Sequence, residues 1–106
     1  MPKFLVQASY TAEGLKGLVK DKASARKAVV AKLLETAGGK LESMYYAFGE
    51  YDVVLIVDLP DNAAAASVSL TASSTGLVRT RTTPLLTIKE TDLALSKSLS
   101  YRAPGQ

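Results

Sequence analysis

The sequence predicts an α+β fold in a single domain over residues 1–106. Segments in which apolar and polar residues alternate, as in strands, are interspersed with segments in which apolar residues recur at helical spacing. The length of 106 residues is close to the commonest size of one domain, and 47% apolar with 22% charged residues is the balance of an ordinary globular protein. We therefore expect one packed core and no second domain.

A strand is predicted at the start of the chain. Phe4, Val6, Ala8 and Tyr10 alternate with Lys3, Leu5, Gln7 and Ser9, which is the two-residue period of a strand. Thr11 then begins a stretch with helical spacing.

This helical stretch is predicted to break near residues 21–23. If it continued unbroken, its apolar stripe would carry Lys22 and Arg26 toward the core. We therefore expect two helices. The second would be capped by Ser24 and ended by Gly38-Gly39, since glycine adopts the left-handed conformation at a helix end without steric cost.

A β-hairpin is predicted next. Leu41–Phe48 and Tyr51–Leu59 are rich in aromatic and β-branched residues and are separated only by Gly49-Glu50. A two-residue connection with glycine in its first position is typical of a type II′ turn, in which that glycine has a positive φ. We therefore expect Gly49 to have a structural role and an alanine in its place to be strained.

Three further elements complete the chain. Pro60-Asp61-Asn62 stops the strand and caps a helix over residues 63–74, and residues 77–83 are predicted as a fourth strand. Thr87 and Glu90 have the spacing of a capping box, which predicts a short C-terminal helix. The order β-α-β-β-α-β is the ferredoxin-like arrangement, whose four-stranded antiparallel sheet has the strand order 4-1-3-2 and both helices on one face.

The other face of this sheet has no helix to cover it. The third strand is nonetheless apolar on both sides, with Tyr51, Val53, Leu55 and Val57 on one side and Val54 and Ile56 on the other. A solvated face of an antiparallel sheet normally presents polar residues. The sequence therefore predicts a homo-oligomer, a dimer or larger, in which a second sheet covers this face.

The composition excludes several classes of function. The chain has no cysteine and no histidine, which removes disulfides, thiolate catalysis and the usual ligands of zinc, so we expect neither a metal nor a cofactor. Its apolar runs are far shorter than the about 20 residues that span a bilayer, and no secretory signal is found. We expect a cytoplasmic protein without membrane contact.

The charge distribution argues against nucleic acid as a partner. The net charge is +3, but it is segregated: residues 12–37 carry six basic and three acidic side chains, and residues 41–61 carry five acidic side chains and no basic one. The basic residues alternate with acidic or apolar ones and form no basic face interleaved with aromatics.

The hairpin sequence Gly49-Glu50-Tyr51-Asp52 matches a motif of small bacterial proteins, and the match extends along the chain. The other matching segments are Pro2-Lys3-Phe4, Tyr10-Thr11-Ala12-Glu13-Gly14, Gly38-Gly39-Lys40-Leu41, Asp58-Leu59-Pro60-Asp61-Asn62, Thr82-Thr83-Pro84-Leu85-Leu86-Thr87 and Tyr101-Arg102. In these segments the chain resembles the GYD domain family. The resemblance implies a fold similar to the dimeric α/β-barrel superfamily. It implies no catalytic residues, since enzymes, stress-response domains and ligand sensors share that fold.

Arg79 and Arg81 are the first candidate binding residues. They alternate with smaller side chains on the fourth strand, and two guanidiniums beneath an alanine-rich helix would be costly to desolvate. We expect both to point to the uncovered face, beside Gln7 and Ser9 of the first strand. There they would clamp a carboxylate or phosphate, or pair with acidic residues of a neighbouring subunit. Those acidic residues would be Glu42, Glu50, Asp52 or Asp58.

Tyrosines and Asp52 form the second group of candidates. Either Tyr51 packs and Asp52 bonds turn amides, or Asp52 is a base or acceptor at the rim of a pocket whose wall is Tyr51. Because neighbouring residues of a strand face opposite ways, one of Tyr45 and Tyr46 should lie under the helices and the other on the uncovered face. We expect these two and Tyr10 to serve packing.

Three functions are compatible with these residues. The first is a homo-oligomeric domain that binds a small, partly anionic ligand at the sheet face. The second is a cofactor-independent enzyme, an oxygenase, isomerase or decarboxylase, acting through Asp52 or a tyrosine, although the absence of histidine disfavours it. The third is a structural or interaction module. A cavity of roughly 300 Å³ or more with converging polar groups would favour the first two.

Overall fold

A computed structural model describes residues 1–106 as four strands and three helices around one sheet. The elements are β1 (Lys3–Tyr10), α1 (Ala12–Thr36), β2 (Lys40–Tyr46), β3 (Val53–Asp58), α2 (Asn62–Ser73), β4 (Val78–Leu85) and α3 (Ile88–Ser96). The strand order is β2-β3-β1-β4 and every neighbouring pair is antiparallel. This is the predicted order read from the opposite edge, and the α+β fold is confirmed.

The predicted break in the first helix is confirmed and lies at Lys22. This residue has φ 72° and ψ 163°, which divides α1 into two helical arms. Thr11 caps the first arm by accepting a hydrogen bond from the amide of Gly14, as its position predicted. Helical geometry resumes directly after Lys22, so Ser24 lies inside the second arm and the prediction that it forms the cap is wrong.

The connection between β2 and β3 differs from the predicted two-residue turn. The strands stop at Tyr46 and resume at Val53, so six residues separate them, and Gly49 is not among the residues with positive φ. The type II′ turn and the strain expected of an alanine at Gly49 are therefore wrong. The physical reason is that Asp52 bonds to β1 instead: its amide donates to the Ala8 carbonyl (2.8 Å) and its carboxylate accepts from the Tyr10 amide (2.8 Å).

The remaining boundaries follow local capping chemistry. Asp61 caps α2 by accepting from the Ala64 amide, and Thr87 and Glu90 form the complete capping box at the start of α3. Gly38 has φ 83° directly after α1, as a helix end requires. The fourth strand continues through Pro84 to Leu85, which an edge strand tolerates because it has an unpaired side.

The core lies between the helices and the two central strands. Nine apolar side chains are buried together: Phe4, Val6, Ala8, Leu34, Val53, Leu55, Val57, Leu59 and Ala65. The alternating burial of β1 and β3 shows that one face of the sheet carries this core. The core is small for 106 residues, since only 11 of them are buried.

The opposite face of the sheet, which we call the open face, is apolar at its centre. Leu5 of β1 lies directly opposite Ile56 of β3, and Val54 lies opposite Tyr45 of β2. Leu5, Val54 and Ile56 are half-buried, and Tyr45 is 72% exposed. The prediction that the third strand is apolar on both sides is thus confirmed for residues 53–57.

The C-terminal arm, residues 86–106, leaves the body of the fold. No side chain of α3 is buried, and the arm exposes Leu86, Ile88, Leu93, Leu95, Leu99 and Tyr101. The radius of gyration is 17.0 Å, against about 13 Å for a closely packed chain of this size. The C-terminal arm therefore adds exposed apolar surface outside the core.

Candidate functional site

The arginines of β4 lie on the open face, at the edge of the sheet. Thr80, between them in sequence, contacts Ser69 and Ser73 of α2 through its hydroxyl, so Arg79 and Arg81 point the other way. Both are exposed. The strand register sets Arg81 opposite Gln7 and Arg79 opposite Ser9, so the four side chains share one face as expected from the sequence.

Arg81 and Tyr51 are brought together across this face. The Nη1 of Arg81 donates to the Tyr51 hydroxyl at 3.3 Å, and this hydrogen bond raises the pKa of Arg81 further above its ordinary value. The sequence interpretation placed Tyr51 on the same side as Val53 and Leu55, and this is wrong. Tyr51 lies in the connection before β3, where the alternation of the strand no longer applies.

The side chains of Ser9 and Asp52 are hydrogen-bonded to main-chain groups. The Ser9 hydroxyl donates to the Glu50 carbonyl at 3.1 Å, and the Asp52 carboxylate is bonded to the Tyr10 amide. Both residues therefore hold the β2–β3 connection against β1. The structure does not bring Asp52 into the arginine group, and the amide it bonds belongs to a strand rather than to the turn.

Neither Arg79 nor Arg81 has a carboxylate within ion-pair distance. The four ion pairs of the chain join Lys3 to Glu42, Lys3 to Asp58, Lys16 to Glu13 and Lys32 to Glu35. Of the acidic residues expected to meet the arginines across a subunit contact, only Glu50 has a side chain without a partner in the chain. The two guanidiniums are thus exposed cations that form no ion pair, and the charge of Glu50 acts on Arg81 from beyond ion-pair distance.

Lys3 holds the one buried carboxylate of the fold. Asp58 is 4% exposed, and its Oδ1 accepts from the Nζ of Lys3 at 2.9 Å. This hydrogen bond lowers the pKa of Asp58 and raises that of Lys3. Asp58 lies opposite Lys3 on β1 and opposite Lys40 on β2, so the pair joins the ends of three strands. Its role is structural.

A cavity between the helices and the sheet is the feature that the sequence interpretation missed. Its outer part has a volume of about 340 Å³ and is lined by residues of both arms of α1, of α2 and of β1 and β4, among them Tyr10, Asp21, Arg26 and Thr75. An adjoining inner part of about 110 Å³ is almost entirely apolar. The sequence did contain a related signal, since Arg26 would fall on the apolar stripe of an unbroken first helix, but this signal predicted the break and not a cavity.

Tyr46 lies near Tyr10, which lines this cavity. Burial, and next the neighbouring Tyr10 hydroxyl, raise the pKa of Tyr46 to about 12. The positive charge of Arg26 has the opposite effect and lowers the pKa of Tyr46. Tyr46 thus faces α1 and Tyr45 faces away from it, as the strand alternation predicted.

The comparisons with known proteins identify the family. The family model of the GYD domain matches residues 4–95. This chain belongs to the GYD domain family. It is 33% identical over 82 residues to a protein of Thermus thermophilus called "Glutamine synthetase and cystathionine beta-lyase binding protein". That match covers 77% of this chain and 85% of the relative, and no solved structure matches the chain.

In this GYD domain the motif Gly49-Glu50-Tyr51-Asp52 acts as an anchored loop. Asp52 fixes the loop to β1, and Tyr51 then reaches Arg81 across the open face. The GYD domain contains no group of three carboxylates that could hold a metal ion. No helix has the combination of length and apolar character needed to cross a membrane.

Proposed function

We propose that this GYD domain is a protein-interaction module that associates with a second copy of itself through the open face. The observation that carries the proposal is the apolar centre of that face, formed by Leu5, Val54, Ile56 and Tyr45. Removing apolar surface from water stabilises a contact by roughly 25 cal/mol per Å². A second copy presents the same apolar face, and two sheets pack face to face about 10 Å apart.

The relative from Thermus thermophilus supports an interaction role toward other proteins. Its name describes it as binding two enzymes, glutamine synthetase and cystathionine beta-lyase. By analogy, we propose that this chain also binds partner proteins, in the cytoplasm. The exposed apolar residues of the C-terminal arm, which the fold leaves unpacked, support the same role.

The substitution Ile56→Glu tests the self-association. Ile56 is on the open face, so a glutamate there should leave the chain folded but should dissociate the oligomer, because two sheets would then bury facing carboxylates. The measurement is sedimentation velocity at increasing protein concentration, together with circular dichroism.

Ala28→Glu is the matched control for this experiment. It introduces the same charge at an exposed position of α1, away from the open face, and should leave the oligomer intact. A wild-type chain that remains monomeric at high concentration would overturn the proposed self-association.

A second candidate function is the binding of a small anion by Arg79 and Arg81. The observation in its favour is that both guanidiniums lack a carboxylate partner in the chain. Residues two apart on one strand are about 7 Å apart, so the two cations suit a ligand with two anionic groups. Gln7 and the Tyr51 hydroxyl add neutral hydrogen-bonding groups beside them.

The double substitution Arg79→Gln and Arg81→Gln distinguishes anion binding by the two arginines from their pairing with acidic residues of a neighbouring subunit. With succinate as the probe in isothermal titration calorimetry, we expect the double variant to lose binding while its oligomeric state stays the same. A double variant in exposed lysines of α1, Lys20→Gln and Lys27→Gln, removes the same charge and should bind as the wild type does. Weakened assembly at low salt, with no succinate binding by the wild type, would instead indicate pairing with acidic residues such as Glu50.

A further inference from the structure

The geometry points to a second binding site: we infer that the cavity between α1, α2 and the sheet binds a small monocarboxylate with an apolar tail. The site is separate from the open face and does not depend on self-association. Its two parts lie side by side, and the ligand would extend from one into the other; the walls of both contain Tyr10, Arg26, Val29, Leu33, Ala72 and Val78.

The inner part of the cavity suits an apolar tail. Its volume is about 110 Å³, and 14 of its 16 lining residues are hydrophobic. Apolar cavities of comparable size, about 150 Å³, stay dry and bind small hydrocarbons, because water finds no hydrogen-bonding partner in them. Val57 and Leu34 at its base belong to the core, so the tail would complete the packing of a core that is small for the chain.

Arg26 suits the anionic head. It is the one charged residue in the wall of the inner part, it is only half-exposed, and the structure gives it neither an ion pair nor a hydrogen bond. A partly desolvated guanidinium without a counter-ion is unfavourable, and a carboxylate would satisfy it with two parallel hydrogen bonds. Asp21 also lines the outer part but forms no ion pair with Arg26.

Tyr10 and the break in α1 support this assignment. Tyr10 lines both parts of the cavity, and its hydroxyl gives the carboxylate a neutral donor in the same wall as Arg26. The positive φ of Lys22 separates Asp21 from Arg26, two residues of the cavity wall on different arms of α1. Non-glycine residues in this conformation are concentrated at functional sites.

Octanoate is the probe for this site. With the wild-type protein, we expect a saturable titration in which the amide NMR signals of Val29, Leu33 and Val68 shift while those of Arg79 and Arg81 do not. Octanamide has the same tail without the charge and should bind more weakly. Arg26→Gln should reduce octanoate affinity about tenfold or more, the usual consequence of losing charge-assisted hydrogen bonds. Lys27→Gln is the control, because it removes the same charge from the next, exposed residue.

Two further variants show whether octanoate occupies the cavity itself. Ala72→Met puts a larger side chain into both parts of the cavity and should block octanoate while leaving Arg26 in place. Ile56→Glu should bind octanoate as the wild type does, even if it is monomeric. Equal affinities of Arg26→Gln and Lys27→Gln, equal binding of octanamide and octanoate, or the absence of the expected shifts would each overturn the inference.

Discussion

Replacing Gly14 with alanine should destabilise the fold by about 3 kcal/mol, at the upper end of the cost of overpacking, although alanine is normally the better helix former. A Cβ at Gly14 would overlap the carbonyl oxygen of Leu77 and come within 3.0 Å of the Tyr10 ring. That carbonyl cannot move freely, because it accepts hydrogen bonds from both the amide and the hydroxyl of Thr11. The start of α1 would have to separate from the start of β4.

Gly17→Ala, one turn further along the same helix, is the matched control. Nothing lies within 4 Å of a Cβ placed there, so this substitution should stabilise the protein by about 0.5–1 kcal/mol through helix propensity alone. Urea unfolding followed by circular dichroism measures both variants. Equal effects of the two substitutions would contradict the close approach of α1 to Leu77.

Local chemistry made most of the fold predictable from the sequence. Caps such as Thr11 and Thr87 act over three residues, and the strand period acts over two, so both can be read without knowing the tertiary structure. The break at Lys22 could be anticipated because an unbroken helix would have turned charged residues toward the core. In each case the deciding interaction lies within one turn of helix or a few residues of strand.

Long-range bonds account for the errors. The β2–β3 connection has six residues because Asp52 bonds to Ala8 and Tyr10, more than forty residues earlier, and no local pattern shows this. The same bonds displace Tyr51 from the strand alternation and bring it to Arg81. Gly49 predicted a type II′ turn, but the hydrogen bonds of Asp52, three residues later, determine the conformation of the connection.

The candidate site was likewise predictable only where it depends on local sequence. Strand alternation predicted the side on which Arg79 and Arg81 lie, since it depends only on the period. The cavity at Arg26 was not predictable, because its walls come from β1, both arms of α1, α2 and β4. What the sequence did show was that Arg26 would fall on the apolar stripe of an unbroken first helix, and this indicated the break rather than a cavity.

Replacing Leu55 with glutamate should prevent folding, whereas Ile56→Glu should leave the chain folded. Leu55 is 6% exposed and faces the helices, directly opposite the buried Val6 of β1. A carboxylate there would lose its hydration among the buried apolar side chains that surround Leu55 on the sheet. The neighbouring Ile56 points to the open face, so the same charge remains in contact with water in the monomer.

The size of the core makes the Leu55→Glu effect large. Burying a leucine contributes about 1.5–3 kcal/mol, and an unpaired buried charge costs several kcal/mol more, against a total stability of about 5–15 kcal/mol for a domain. Because only nine apolar side chains form the core, we expect a stability toward the lower end of that range and expect the substitution to abolish the cooperative thermal transition. Circular dichroism and one-dimensional NMR measure it. A folded, monomeric Leu55→Glu variant together with an unfolded Ile56→Glu variant would mean that the two faces of β3 are exchanged, and the open face would then be the core.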